Sequence, residues 1–376
     1  MTDNTVTPMA RPPWLFLAFN FLFSRLWLVI IAGMSLLVFK RGQDYIVPHS
    51  ILDLFNQWDA EWYLNIARHG YTYTPGKNTG VVFFPLYPVL VRLLTFGGTV
   101  DARLVAYLVS NGALFCAVVL LWKLAVFELR DESCSKHVVQ FLLFNPMTVF
   151  YSSIYTESLC LLFLVSTLYL ARTQRWLLAA GCAYAAGLCR VVGVLLVVPL
   201  ACEWFLQNRH NLSWRSAGIR RALIACAAPA LGFLTYVAYL NWTFGEPLAF
   251  LKAERPFGGR RLTWPWLAFK HLHRYELFYV IWFLSFLVMA VGLFILAVRW
   301  RFRPTYLVVF VIFTMICVCS SVLESLPRYL SVLFPFYFVL ALATKKWPDL
   351  TVPLFVGSTI LQVISTILFV NGYWLT

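Results

Sequence analysis

Apolar runs broken by short polar stretches make up most of this chain, and the runs are long. The first extends from Trp14 to Phe39 with Arg25 inside it. About 20 apolar residues cross a bilayer as a helix, so each such run predicts a transmembrane span. Further single spans are expected near residues 103–127, 222–241, 277–298 and 350–372. Two runs, Val138 to Ala171 and Trp176 to Phe205, are too long for one span, and each is broken by polar residues. The first breaks at Tyr151-Ser152-Ser153-Ile154-Tyr155-Thr156-Glu157-Ser158, the second at Leu188-Cys189-Arg190. Each pattern predicts two short spans joined by a polar elbow, because irregular backbone at membrane depth has to be buried in protein or line a cavity. Two more spans flank Glu324-Ser325-Leu326-Pro327-Arg328-Tyr329. The expectation is an all-α polytopic membrane protein, residues 1–376 forming one transmembrane domain of ten or eleven spans.

Two stretches are too polar to cross, 40–101 and 242–276. Within the first, residues 56 to 71 hold two carboxylates, two tryptophans, two tyrosines, an arginine and a histidine. On a helix, Trp58, Trp62, Ile66 and His69 fall near one face and Asp59, Tyr63 and Ala67 on the next. Asp59 stands where a carboxylate suits a helix N-terminus, and Gly70 where a helix stops. A short amphipathic helix at the membrane surface is predicted. A turn at Pro75-Gly76-Lys77-Asn78 leads to a second amphipathic piece, Val82 to Arg92, which prolines keep too short to span. The 242–276 stretch reads as a second large loop with a charged run from Lys252 to Arg261.

Composition agrees with this pattern. The chain is 61% hydrophobic and 12% charged, where a soluble domain carries about 25% charged residues. The net charge of +14 is spread over many short loops. Topology and anionic lipid account for it, and no nucleic-acid partner is expected. Residues Met1 to Pro13 lack a cleavable signal pattern, so the first span is expected to stay. With a cytoplasmic N-terminus and both broken runs folded as hairpins, the basic loops share one side. These are Arg130 and Lys136, Arg172 and Arg175, Arg209 to Arg221, Arg299 to Arg303, and Lys345-Lys346, and they mark the cytoplasm. The opposite side collects the Trp58 segment, the Glu157, Arg190 and Arg328 elbows and the 242–276 loop. The nine cysteines lie mostly in apolar runs without CxxC spacing, so neither a disulfide nor a metal cluster is expected.

Ionisable groups in or beside spans are costly, and convergence on one face marks a functional site. The convergent set holds the carboxylates Asp59, Glu61, Glu157 and Glu324, the cations Arg190 and Arg328, and the tyrosines Tyr63, Tyr155 and Tyr329. A carboxylate base can take a proton from an acceptor hydroxyl. Arginines can hold a departing phosphate through bidentate hydrogen bonds. Trp58 and Trp62 can stack on a sugar or line a lipid path. No nucleotide-binding glycine fingerprint is present, which fits a donor already embedded in the membrane. Plainer roles stand beside these. Asp59 can cap an interfacial helix anchored by tryptophans. Glu157 can cap a short helix, and the arginines can pin the elbows. Glu61 can be an exposed interfacial charge, His69 structural, and Arg25 paired or snorkelling.

At these residues the chain resembles the PIG-V family, the glycosylphosphatidylinositol mannosyltransferase 2 group, and especially its prokaryotic relatives. The matching pieces are Trp58-Asp59-Ala60-Glu61-Trp62-Tyr63 with His69-Gly70-Tyr71, then Phe83-Phe84-Pro85-Leu86-Tyr87-Pro88. Asn145-Pro146, Tyr155-Thr156-Glu157-Ser158, Ala186-Gly187-Leu188-Cys189-Arg190 and Pro327-Arg328-Tyr329 follow in order. Eukaryotic members commonly carry His where this chain has Trp62, and Arg-Ser-Asn-Gly where it has Arg190-Val191-Val192-Gly193.

The resemblance implies a GT-C glycosyltransferase fold with a catalytic acid in the first large extracytoplasmic loop. It implies a polyprenyl-phosphate sugar donor, typically of mannose, and inversion at the anomeric carbon. By it Asp59 is the base, with Trp58 beside it; on the chemistry of the convergent set Arg190 and Arg328 are expected to hold the donor phosphate. Trp58, Glu61, Trp62, Tyr63, Tyr155, Glu157 and Tyr329 are the substrate-binding candidates. The acceptor is a lipid, glycan or protein hydroxyl, with no cofactor and no metal expected. The location implied is a prokaryotic plasma membrane, with the active site extracytoplasmic. A transporter or flippase of a lipid-linked sugar and an inactive GT-C-like subunit are the rival readings. Polar groups clustered at one interface favour the enzyme; an Asp59 turned away from the arginines favours the inactive subunit.

Overall fold

A computed structural model describes residues 11–42, 45–48, 50–209, 217–258, 261–270, 272–321, 323 and 325–375. Among the described residues there are seventeen α-helices. The first span is α1, Trp14–Val38. The polar stretch after it carries α2, Ala60–His69, and α3, Leu86–Leu94, at the two places the amphipathic pattern marks. The long α4, Ala102–Leu129, follows. The first broken run becomes α5, Glu132–Leu143, a single turn α6, Thr148–Ser152, and α7, Glu157–Arg172. The second becomes α8, Trp176–Cys189, a 3-10 segment, Val191–Leu196, and α9, Val197–Asn208. Next are α10, Ala217–Phe244, α11, Ala249–Gly258, and α12, Pro265–Phe269. The last third holds α13, Leu277–Arg299, α14, Pro304–Val318, α15, Leu326–Ser331, α16, Pro335–Lys346, and α17, Thr351–Val370.

Among the described residues, six helical segments are long and apolar enough to cross a membrane by themselves: α1, α4, the Val191–Asn208 segment, α10, α13 and Pro348–Val370. That is fewer than the ten or eleven spans expected. The difference lies in the shorter helices. The broken runs give α5, α7 and α8, and the spans on either side of residue 324 give α14 and α16, all of 12 to 16 residues. At about 1.5 Å per residue, the longest of these is near 24 Å, short of a bilayer core of about 30 Å. Of these, α7 starts at Glu157 and α8 ends just before Arg190, at the two polar elbows. The 242–276 stretch is also more ordered than a loop, since α11 and α12 lie within it.

The elbows satisfy their own backbone. At the end of α6 the Ser153 N–H and hydroxyl both donate to the Val149 carbonyl, at 3.0 and 2.8 Å. The Ser110 hydroxyl on α4 donates to the Ser153 carbonyl at 2.8 Å. At the end of α8, Arg190 turns extended (φ −156°, ψ 152°) while its N–H still reaches the Ala186 carbonyl at 3.2 Å. Polar backbone that leaves a helix at this depth needs such partners.

The far ends of α7 and α9 meet the start of α14 in a closed ionic network. Glu203 on α9 is fully buried. It accepts from Arg303 at 2.7 and 2.9 Å, from Thr305 and Gln207 at 2.6 Å, and from Arg172 at 3.3 Å. Arg172 also donates to Glu128 at 2.5 Å, and the Tyr306 hydroxyl donates to Glu128 at 2.9 Å.

Helices α8 and α10 pack backbone to backbone. A Cβ on Gly187 would lie 2.1 Å from the Pro229 carbonyl oxygen, and one on Gly232 would lie 2.1 Å from that of Tyr184. Small residues permit this approach in a membrane bundle. Gly187→Ala is therefore expected to cost about 2 kcal/mol through forced separation of the two helices. Gly181 on the same helix has nothing within 4 Å of a built Cβ, so Gly181→Ala is the control. Thermal melting in detergent checks this, and equal midpoints for the two variants would remove the packing account.

Candidate active site

Asp59 stands immediately before α2, but it does not cap it. Among the described residues its side chain accepts no hydrogen bond from the first turn, although its carbonyl starts the helix by accepting from the Trp62 N–H at 3.1 Å. The carboxylate turns instead to Arg328 on α15, whose Nη1 donates to Oδ2 at 3.2 Å. The plain capping role is thus absent, and the group is left oriented toward a cation.

The approach to Asp59 is strained. Trp58 has φ +58°, a left-handed conformation rare for a bulky residue. The expected helical face that included Trp58 is accordingly lost: α2 begins only at Ala60, and Trp58 packs edge-on against Trp374 at 4.7 Å. Tyr155 in the α6–α7 elbow holds this turn. Its hydroxyl donates to the Gln57 carbonyl and accepts from the Asp59 N–H, both at 3.1 Å. Strain of this kind costs about 1–3 kcal/mol and persists only where the surroundings fix it.

Two further charges complete the site. Glu157 is the first residue of α7 and is buried. Its Oε1 lies 2.5 Å from Arg190 Nη1 and 3.4 Å from Arg328 Nε. Its Oε2 and Arg328 Nε are buried and have no hydrogen-bond partner among the described residues. Aromatic rings pack against both guanidiniums. Arg328 lies 5.3 to 5.5 Å from the centroids of Phe150, Tyr155 and Tyr329, and Arg190 lies 4.6 Å from that of Tyr329. Cations over ring faces gain further attraction. Tyr63, on the buried side of α2, has its hydroxyl 3.4 Å from the Thr156 hydroxyl. Burial raises the Tyr63 pKa far above the ordinary tyrosine range, so it stays neutral.

These groups border one cavity of about 380 Å³. Of the sequence-predicted residues, Trp58, Asp59, Tyr63, Tyr155, Glu157, Arg190, Arg328 and Tyr329 line it. Glu61 and Trp62 do not line it. Glu61 is exposed and accepts from the Asn56 amide at 2.6 Å, and Trp62 stacks on Phe83 at 6.1 Å. His69 is exposed at the end of α2. Arg25 is held by hydroxyls, Ser152 at 2.6 Å and Thr148 at 3.1 Å. Glu324 lies outside the described residues. The Lys252–Arg261 run contributes Glu254 and Arg261 to the wall.

Sequence reasoning missed other parts of the wall. Phe250 and Leu251 come from α11, and Trp374 and Leu375 from beyond the last span. The amphipathic spacing of 249–258 could have flagged α11. No local pattern marks Trp374. Among the described residues no group of three or more His, Cys, Asp or Glu is placed to hold a metal ion.

A family model described as mannosyltransferase (PIG-V) matches residues 43–243, just over half of the 376-residue chain. The chain belongs to the PIG-V mannosyltransferase family. The matched stretch includes Asp59, Tyr155, Glu157 and Arg190, while Arg328 lies beyond it. GPI mannosyltransferase 2 of Drosophila pseudoobscura pseudoobscura is 34% identical over 124 residues, covering 31% of this chain and 26% of that protein. GPI mannosyltransferase 2 of Drosophila melanogaster is 35% identical over 112 residues, covering 27% and 24%. The matched region thus spans about a quarter of either relative's length. Among solved structures, ArnT from Cupriavidus metallidurans bound to undecaprenyl phosphate aligns with TM-score 0.53 at 13% identity, over 92% of this chain and 76% of that one. The Archaeoglobus fulgidus oligosaccharyltransferase AglB aligns with TM-score 0.50 at 11% identity, over 96% and 56%. The PIG-V family chain therefore has the GT-C fold of these enzymes.

Arg328 is the shared partner of both carboxylates, so its removal leaves buried charge unmatched. Arg328→Met is expected to destabilise the protein by about 3 kcal/mol or more. A drop in thermal midpoint in detergent checks this; an unchanged midpoint would mean the pairs carry no structural weight.

Proposed function

We propose that this PIG-V family protein is a membrane glycosyltransferase. It transfers a hexose, mannose in the first instance, from a polyprenyl-phosphate donor to a hydroxyl of a lipid or glycan acceptor. The observation that carries the reading is the Asp59 carboxylate, unused by its own helix and facing a cavity that holds two arginines. Family membership supplies the sugar. The ArnT structure of the same fold is described with undecaprenyl phosphate bound, and a paired-arginine site suits the same headgroup.

In this mechanism Arg190 and Arg328 bind the phosphate that links sugar to prenyl chain, by charge-assisted hydrogen bonds. Their charge is most useful as the bond from the anomeric carbon to the phosphate oxygen breaks and its electron pair moves onto that oxygen. Asp59 takes the proton of the acceptor hydroxyl as the acceptor oxygen attacks the opposite side of the anomeric carbon. Tyr155 keeps the Asp59 backbone in place, and Trp58 and Tyr329 offer ring faces to the sugar. Glu157 is pinned between two guanidiniums and is not free to form a glycosyl intermediate. One displacement with inversion follows.

Placement of the reaction on the extracytoplasmic side rests on the basic residues. Arg130, Arg172, Arg175, Arg299, Arg303 and Lys345-Lys346 fall at the helix ends away from the cavity, and short basic loops face the cytoplasm. An inactive subunit would have no need to aim Asp59 at Arg328.

Asp59→Asn keeps shape and removes basicity. Transfer from polyprenyl-phosphate mannose to a panel of lipid and glycan acceptors should fall by about 100-fold or more. Donor binding should be retained. Near-native transfer by this variant would exclude Asp59 as the base.

A further inference from the structure

Helix α7 ends in an ionic cluster at both extremities, and the two differ in one respect. At its C-terminal end, Glu203 has partners on both carboxylate oxygens, all of them protein groups. At its N-terminal end, Glu157 uses one oxygen for two arginines and leaves the other buried and unpartnered among the described residues. The first cluster is complete as it stands. The second is an open arrangement with a cavity beside it.

Charge at the open cluster sums to zero among the described residues. Asp59 and Glu157 are negative, and Arg190 and Arg328 are positive. Glu254 and Arg261 add one charge of each sign to the same wall. Two buried arginines alone would form a strong trap for any phosphate. Glu157, hardly exposed and within ion-pair reach of both, cancels half of that trap while both arginines still line the cavity.

We infer that Glu157 is a charge-setting residue that holds the phosphate site neutral, so that it accepts a singly charged phosphodiester and sheds the doubly charged phosphomonoester left by transfer. This rests on the polyprenyl-phosphate donor proposed above. During transfer the acceptor O–H bond breaks and its proton goes to Asp59. A carbon–oxygen bond to the acceptor forms as the sugar–phosphate bond breaks, and the phosphate gains one negative charge. Protonated Asp59 no longer neutralises Arg328, so the site gains one positive charge in the same step, and the total is conserved. When Asp59 gives up that proton to water, the site is neutral again and the dianion is poorly held. Release of the prenyl phosphate is thereby tied to resetting of the base.

The test uses the purified full chain and two ligands with the same prenyl chain, polyprenyl phosphate and its methyl ester. At about pH 8 the first is mostly doubly charged, because its second pKa is near 6, and the second is singly charged. The native protein should bind the ester at least as tightly as the phosphate. Glu157→Gln should reverse the order, the phosphate gaining about tenfold or more relative to the ester. Glu157→Asp keeps the charge and should keep the native order. A residue with only a structural role would lower both affinities together and leave their ratio alone. A folded Glu157→Gln protein with an unchanged ratio would overturn the inference. If that variant does not fold, the native ratio still decides, since a native preference of tenfold for the phosphate is incompatible with a neutral site. Native protein that binds neither ligand would instead overturn the polyprenyl-phosphate reading on which the inference rests.

Discussion

Charged groups drawn away from water in a membrane protein have to be matched by opposite charge. Asp59, Arg328, Glu157 and Arg190 form such a chain of contacts, at 3.2, 3.4 and 2.5 Å. Four separate elements end there: the start of α2, the start of α7, the end of α8 and the short α15. Breaking one member exposes the others to the full desolvation penalty, which outweighs any single surface ion pair. The elbows that shorten α7 and α8 follow from this requirement. A continuous helix through Ser153 or Arg190 would carry these charges past each other. Interrupted helices bring the ends together, and the hydroxyls of Ser110 and Ser153 cover the freed backbone.

The same helix that carries Glu157 at its start carries Arg172 at its end, about 22 Å away at the usual rise. It is therefore a spacer between two electrostatic anchors. The Glu203 end has five donors on one carboxylate and no use for a ligand. It fixes α7, α9 and α14 against one another. That rigidity matters at the other end, where a base and a phosphate clamp have to keep their separation while substrates of very different size come and go.

Much of this was legible in the sequence, for a physical reason. In lipid a polar residue costs so much that it stands out against the apolar run around it. That is why the breaks at Glu157 and Arg190, the segment at Asp59 and the amphipathic helices α2 and α3 could be placed from the pattern alone. The partners could not. Asp59 and Arg328 are 269 positions apart, and periodicity carries no information across such a gap. Helix phase was misjudged at Trp58, because left-handed backbone at a tryptophan has no local signature. The charges of segment 249–258 read as a loop, although its amphipathic spacing carries the signal for α11. Length separates the helices: six described segments are long enough to cross alone, while Trp176–Cys189 and Pro304–Val318 are apolar but shorter, and apolar pattern alone does not tell the two kinds apart.

Depth within the cluster runs in a consistent order. The Asp59 side chain is 26% exposed, Arg190 16%, Arg328 7% and Glu157 1%. On the proposed reading this order assigns directions to the two substrates. The group that takes the acceptor proton stands at the open side, where an acceptor of any headgroup can reach it. The cations that meet the donor phosphate stand deeper, among Phe150, Tyr155 and Tyr329, where water is thin and each hydrogen bond to a charged oxygen counts for more. The carboxylate that moderates those cations is deepest of all, where the substrates would not compete with it for contact. A site built the other way round, with the base buried and the arginines at the mouth, would bind phosphate from bulk water and offer the acceptor no route to the base. The exposure gradient is thus itself a constraint on the reaction, and it comes from the height at which each helix is broken.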